Sequence, residues 1–235
     1  MTGQRPAAPQ AVGGPAPRSG RSTRCGVLGR PVGHSLSPVI HTAGYLAAGL
    51  TGWSYSATEC GEPELAGLVA GLGPEWTGLS LTMPLKEVAL TVADRVDATA
   101  AALGAANTLV RTAGGWRAVN TDAPGMVDAL RTVGVTGADR IAVLGAGGTA
   151  RAALGAAATL GAAVTVYARR AGAVDALRPV AEALGVPLTG ADWSEAWDCH
   201  HAEVVISTVP RGVADHLATT GWRPATVLFD VAYVP

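Results

Sequence analysis

Of the 17 basic residues in this chain, 16 are arginine and one, Lys86, is lysine. A guanidinium stays charged in a protein, whereas an amine can release its proton. Lys86 therefore marks either a position that needs a group able to hand a proton to a reacting atom or a remnant on a solvated face. It closes the segment Ser80-Leu81-Thr82-Met83-Pro84-Leu85-Lys86, shortly after a buried strand. The two asparagines of the chain are Asn107 and Asn120, and Asn120 opens Asn120-Thr121-Asp122, which brings a carboxylate to a junction in the pattern. A third segment, Gly33-His34-Ser35-Leu36-Ser37-Pro38, sets two hydroxyls at a helix start, where backbone amides can help them hold a carboxylate. The plainer alternative there is N-capping by Ser37, with Ser35 idle.

A fourth segment, Gly145-Ala146-Gly147-Gly148-Thr149-Ala150, follows a buried strand and opens an Ala-rich helix, the setting that a dinucleotide-binding glycine fingerprint requires. Gly145 permits the tight turn, Gly147 lets a pyrophosphate approach the backbone, and Ala150 lets the helix lie close to the sheet. The helix N-terminus then offers free amides and a partial positive charge to the phosphates. A merely structural turn between strand and helix is the alternative. An NAD site would place an acidic residue about 20 residues further on to bind the ribose hydroxyls. This chain has Tyr167-Ala168-Arg169-Arg170 there, and guanidiniums suit a 2′-phosphate, so NADP is expected over NAD.

The elements that must hold these segments alternate between strand and helix from Cys25 onward. Apolar periodicity and turn residues predict strands at Cys25–Gly29, Trp53–Thr58 and Leu79–Thr82. Helices are expected from Ser37 to about Ala48, from Pro63 to about Leu72, and over Leu85–Val92 and Asp97–Leu103. Asn107–Arg111 and Trp116–Asn120, joined through Gly114-Gly115, read as a hairpin. A second series follows: helix Met126–Thr132, strand Ile141–Leu144, helix Thr149–Leu160, strand Ala163–Tyr167, a helix near Val174–Leu184, and strands Val204–Ser207 and Val227–Asp230. Such alternation points to an α/β chain with mostly parallel sheets. We divide it into a disordered tail at residues 1–24, one α/β domain at 25–120 and a Rossmann-like, dinucleotide-binding domain at 121–235.

Composition narrows the partners. The 235 residues carry a net charge of -1, and 49% are hydrophobic, which fits a soluble chain with a sizeable core. Seventeen basic against 18 acidic residues leave no cationic excess for a nucleic-acid backbone. No apolar run approaches the roughly 18 residues of a membrane span. The three cysteines, Cys25, Cys60 and Cys199, are odd in number and widely spaced, as expected of reduced thiols in a cytoplasmic protein. Cys199-His200-His201 lacks a second ligand pair, so no metal is expected.

The motifs together resemble the shikimate dehydrogenase family (shikimate/quinate dehydrogenases). The resemblance rests on GRPVGHSLSP at 29–38, LTMPLK at 81–86, GAANTL at 104–109, NTDAPG at 120–125, GAGGTARA at 145–152 and the final FDVAYVP, in the family's order. It implies NADP-dependent reduction of 3-dehydroshikimate to shikimate, in aromatic amino acid biosynthesis, between a substrate domain and a Rossmann-like domain. Lys86 and Asp122 would then be the acid/base pair. Ser35 and Ser37 would hold the substrate carboxylate, and Ser80, Thr82, Asn107 and Tyr233 would line the rest of the substrate site. Gly145, Ala146, Gly147, Gly148, Thr149, Ala150, Arg151, Arg169, Arg170 and Thr208 would surround the cofactor, and the protein would be a monomer or a homodimer.

Three departures stand beside these matches. Ser80 replaces a common asparagine, Ala168-Arg169-Arg170 replaces Asn-Arg-Thr, and Ile206-Ser207-Thr208 occupies the place of a loop near the cofactor. Family members continue past the equivalent of Pro235 with a Gly-rich turn, a substrate-binding glutamine and a helix that packs back on the first domain, so the chain reads as a fragment or a shortened form. The alternatives are a quinate or aminoshikimate dehydrogenase and a catalytically silent dinucleotide-binding protein.

Overall fold

The computed structural model of the chain describes residues 22–219 and 221–232. The first half builds strands β1 (Thr23–Gly29), β2 (Trp53–Glu59), β3 (Trp76–Leu81), β4 (Arg95–Val96), β5 (Thr108–Thr112) and β6 (Gly115–Val119). Helices α1 (Ser37–Ala47), α2 (Glu62–Ala70), α3 (Ala89–Val92) and α4 (Ala98–Leu103) lie between them, and α5 (Asp122–Thr132) follows. The second half carries β7 (Arg140–Leu144), α6 (Gly148–Leu160), β8 (Ala163–Ala168), α7 (Ala171–Asp175), α8 (Arg178–Leu184), β9 (Leu188–Asp192), β10 (Val204–Ser207) and β11 (Val227–Asp230). Two 3-10 segments, Trp193–His201 and Asp215–Thr219, flank β10.

The first sheet has the order β2-β1-β3-β5-β6-β4. Here β1 pairs in parallel with both β2 and β3, while β5 runs antiparallel to β3 and to β6. This register collects four chain segments at one end of the sheet. The carboxyl ends of β1 and β3 lie there, with Leu28 opposite Leu81. The start of β5 joins them through Thr108 opposite Ser80, and the end of β6 through Val119 opposite Thr108. The loops after Gly29, Leu81 and Val119, and the one before Thr108, therefore meet without any long-range device beyond strand pairing.

The second sheet, β11-β10-β7-β8-β9, is parallel throughout. Chain order reverses at β7, which has β8 on one side and β10 on the other. Ligands of open α/β sheets bind in the crevice outside the strand ends at such a switch point. Ile141, Val143, Val164, Val166, Val204 and Ile206 form its core with the small face of α6, where Ala150, Ala153 and Ala157 are fully buried. A separate core of Leu28, Leu65, Leu79, Leu81, Leu109 and Trp116 supports the first sheet. Helix α1 contributes none of its side chains to either core: it has no buried residue, and Val39, Ile40 and Leu46 are exposed.

Several boundaries differ from expectation for identifiable reasons. The proposed disordered tail overlaps β1, because the amides of Thr23 and Arg24 already bond to the carbonyls of Gly52 and Glu75 at 2.9 and 2.8 Å; the rest of that tail, residues 1–21, lies outside the described residues. Leu85–Val92 is not one helix. The Lys86 carbonyl accepts from the Ala106 amide at 2.7 Å rather than from a helical donor, so 83–88 is a turn and only α3 is helical. The helix expected near Val174–Leu184 splits into α7 and α8, since Pro179 cannot continue a ladder from the preceding turn and instead suits the first turn of α8. Strands β4 and β9 and the 3-10 segment at Trp193–His201 were not expected.

One close approach ties the halves together. A Cβ on Gly155 of α6 would lie 2.9 Å from Ala123 Cβ and 3.0 Å from Leu103 Cδ2. By contrast, a Cβ on Gly67 in α2 meets nothing within 4 Å. The same substitution should therefore have opposite signs. Gly67→Ala raises the urea midpoint by relieving about 0.5–1 kcal/mol of backbone entropy cost, whereas Gly155→Ala lowers it, overpacking of about 1–3 kcal/mol outweighing the helix-propensity gain.

Candidate active site

Lys86 Nζ donates to Asp122 Oδ2 at 2.6 Å, with the two side chains 17% and 27% exposed. The carboxylate is fixed from both sides. Asn107 Nδ2 donates to its other oxygen at 2.7 Å, and the Asn107 carbonyl oxygen accepts from the Thr121 amide at 3.0 Å. Asn120, 5% exposed, accepts from the amides of Asp122 and Ala123 at 3.0 and 3.2 Å and donates to the Ala105 carbonyl at 2.9 Å. It thus satisfies two otherwise unpaired amides at the start of α5 and sets the backbone from which Asp122 projects. A carboxylate in the first turn of that helix also lies at the favourable end of its dipole.

Lys86, Asn107, Thr121 and Asp122 line a cavity of about 240 Å³ that Ser35, Ser37, Ser80 and Thr82 enter as well. The loop carrying the first two serines is held by Glu59, which accepts from the Val32 amide at 2.8 Å, and by the exposed Arg30–Glu64 pair at 3.0 Å. The Glu64 carboxyl lies below its usual range because the Gly61 amide and then Arg30 donate to it. Ser37 is not the N-cap. It is the first residue of α1, and its amide donates to Ser35 Oγ at 3.3 Å, so Ser35 does the local capping.

Two residues of this site carried no signal in the spacing. His34 lines the cavity from within the quoted serine segment. Tyr55, on a strand read only as alternating, reaches from β2 to donate to Ser80 Oγ at 2.7 Å, and its ring stacks on His41 at 4.2 Å and 1°. Burial pushes its phenol up, and hydrogen bonds with Ser80 and Ser37 draw it back only in part, so it stays a donor behind the serines. A cross-strand partner of this kind is visible only once the strand order is known.

The glycine loop sits at the switch point of the second sheet. Gly145 has φ 95°, a left-handed value that favours glycine, and a Cβ there would lie 2.9 Å from Thr208 Oγ1. The Thr208 hydroxyl and amide are both spent on the Leu144 carbonyl, at 2.8 and 2.9 Å, which pins the loop after β10 against the glycine turn. A side chain at Gly147 would enter open space, so what this glycine keeps clear is the approach to its own backbone. Gly148 and Thr149 begin α6 with amides that lack helical acceptors, whereas the Ala150 amide donates to the Gly147 carbonyl at 2.9 Å and its side chain is fully buried against the sheet. Exposed Arg169 and Arg170 follow the end of β8, next to the turn, with no acidic residue at that strand end. This arrangement fits a phosphorylated dinucleotide: a bare backbone cradle, a helix start, and cations beyond it.

Arg151 is turned elsewhere, onto the first sheet's side of the molecule, where its side chain is only 15% exposed and its guanidinium bonds to the Leu103 carbonyl. Tyr233 lies outside the described residues. The two clusters adjoin: a Cβ on Gly148 would lie 3.9 Å from Lys86 Cδ. Among the described residues no group of three or more His, Cys, Asp or Glu could hold a metal ion. Cys199 is 1% exposed, and burial pushes its thiol up to about 11. No described helix is long and apolar enough to cross a membrane.

Comparison with known proteins identifies relatives of both halves of the chain. Residues 27–109 match the family model of the shikimate dehydrogenase substrate binding domain, and residues 140–231 match a coenzyme F420-dependent NADP oxidoreductase model. The shikimate dehydrogenase (NADP(+)) of Anaeromyxobacter dehalogenans is 35% identical over 221 residues, covering 92% of this chain and 80% of that protein. Among solved structures, Mycobacterium tuberculosis shikimate dehydrogenase superposes with a TM-score of 0.78 at 44% identity, over 91% of this chain and 80% of that one. The Thermus thermophilus enzyme in complex with NADP(H) and shikimate gives 0.74 at 31% identity, over 91% and 80%. The chain belongs to the shikimate dehydrogenase family.

Proposed function

We propose that this protein is an NADP-dependent oxidoreductase that reduces the ring ketone of 3-dehydroshikimate to the alcohol of shikimate. The observation that carries the reading is the Lys86–Asp122 pair, set on the wall of a small polar cavity and against the first residue of the dinucleotide helix. Residues 25–120 take the substrate and residues 121–235 the dinucleotide.

NADPH, when bound, supplies the hydride that the ketone carbon accepts. The oxygen of that carbon gains negative charge and must receive a proton, and the ammonium of Lys86 gives it. In the direction of alcohol oxidation the neutral amine takes the proton back. Asp122 holds the Lys86 head by one oxygen while Asn107 holds the other, so the donor cannot swing away from the cavity. Restricting a proton donor to one orientation is worth orders of magnitude in effective concentration. Asn107 is engaged by Thr121 and Asp122, and we assign it the orienting of that carboxylate as well as a place on the ring's side of the cavity.

The hydroxyls of Ser35 and Ser37 and the start of α1 receive the substrate carboxylate; the lining of the cavity holds no arginine for it. Thr82 and Ser80 face the ring hydroxyls. Ser80 is shorter than an asparagine and is already bound by Tyr55, which favours testing quinate and an amino-substituted ring beside shikimate. Arg169, with Arg170, pairs with the 2′-phosphate that separates NADP from NAD. We place the protein in the cytoplasm as a monomer or homodimer, with small molecules rather than nucleic acid or membrane as partners, in keeping with its net charge of -1 and its cysteines.

Two measurements test the reading. Lys86→Ala should lower turnover of 3-dehydroshikimate by about 10²–10⁴-fold while tryptophan fluorescence reports unchanged NADPH binding; turnover near the original rate would remove Lys86 from the mechanism. Arg169→Ala should raise the KM for NADPH by about tenfold or more, the loss of a charged hydrogen bond, and leave that for NADH unchanged. Equal effects on both cofactors would take Arg169 away from the 2′-phosphate.

A further inference from the structure

We propose that Arg151 is a positioning residue that couples the dinucleotide loop to Lys86. It stands one turn into α6, three residues after the first residue of the helix, but its side chain points away from the glycine loop and across to the substrate side. There Nη1 donates to the carbonyl of Leu103 at 3.2 Å, and Nη2 lies 3.4 Å from the carboxylate of Glu87, the residue next to Lys86. Leu103 is the last residue of α4, so its carbonyl is one that the helix leaves unpaired. Gly104, at φ 61°, ends that helix, and a Cβ on it would lie 3.0 Å from Arg151 Nη1; the bare glycine leaves room for the guanidinium.

One planar fork therefore joins the end of α4, the lysine turn and the helix that starts in the phosphate cradle. Gly148 against Lys86 and Gly155 against Leu103 and Ala123 extend the contact along the same side of α6 over successive turns. The lysine turn is tied at its other end as well, by the Ala106 amide on the Lys86 carbonyl. With so little freedom left, a phosphate that settles the first turn of α6 also settles Glu87 and its neighbour Lys86. By linkage, occupancy of the ring cavity must favour the dinucleotide by the same factor. A lysine at 151 could not do this, because a single ammonium lacks the two-armed fork that reaches both acceptors.

The inference rests on the reading of Lys86 as the proton donor, which the turnover of Lys86→Ala decides separately. The test is calorimetric titration of shikimate with and without saturating NADP+, combined with steady-state kinetics. In the unaltered protein NADP+ should tighten shikimate by about fivefold or more. In Arg151→Met that factor should fall toward one and kcat should drop by about tenfold or more, with each dissociation constant measured alone changed by less than about twofold. Arg151→Lys should not restore the coupling. Glu87→Gln, on a largely exposed side chain, should show the same signature at smaller size, which keeps the question decidable if Arg151→Met fails to fold. Weakened NADP+ binding with intact coupling would make Arg151 a phosphate ligand and overturn the proposal, as would a Glu87→Gln protein that behaves like the original or an unaltered protein without coupling.

Discussion

The ion pair between Lys86 and Asp122 is the contact on which the site depends, and it is a contact between two sequence-distant loops. Nothing local brings them together. What does is the register of the first sheet, which places the ends of β3 and β6 and the start of β5 at one end, so that Asn107 reaches the carboxylate that holds Lys86. Taking two partly desolvated charges out of water is costly unless the remaining hydrogen-bonding capacity is met. Asn107 supplies a donor to the carboxylate, and Asn120 fixes the backbone behind it. Both asparagines of the chain are thus engaged at this one place.

The second sheet solves a different problem with different means. A dinucleotide needs backbone rather than side chains close to its phosphates, and the cradle is accordingly built from small residues, with Ala150, Ala153 and Ala157 letting α6 lie flat on the strands. The same economy of volume on the opposite side of α6, at Gly148 and Gly155, lets the helix touch the substrate half directly. A single helix therefore bears on the sheet, on the glycine turn and on the lysine turn.

Much of this was legible in the sequence. Apolar runs gave four of the five strands of the second sheet, β7, β8, β10 and β11, nearly to the residue, because buried parallel strands are short, continuous and bounded by turns, and they missed β9. The glycine motif and the lone lysine pointed to the turn at the switch point of the second sheet and to the Lys86–Asp122 pair. What escaped was whatever depends on a partner far along the chain. The turn around Lys86 looks helical until Ala106 claims its carbonyl. Tyr55 looks like one more residue of an alternating strand until β3 lies two strands away and Ser80 comes within reach. Arg151 sits inside a cofactor motif and faces the other way. β4 is two residues long and has no periodicity to read.

Helix α1 has a consequence for motion. It carries Ser37 at its start, yet no side chain of it interlocks with a core; it rests on the sheet through His41 on Tyr55 and Tyr45 on Trp53, ring centroids 4.2 and 5.3 Å apart. Local opening is cheapest where few apolar contacts must be broken. The serine wall of the cavity is therefore expected to open more readily than the lysine wall, which two asparagines and a guanidinium brace. A ring arriving from solvent would meet a yielding side and a rigid one, and the proposed proton transfer belongs to the rigid one.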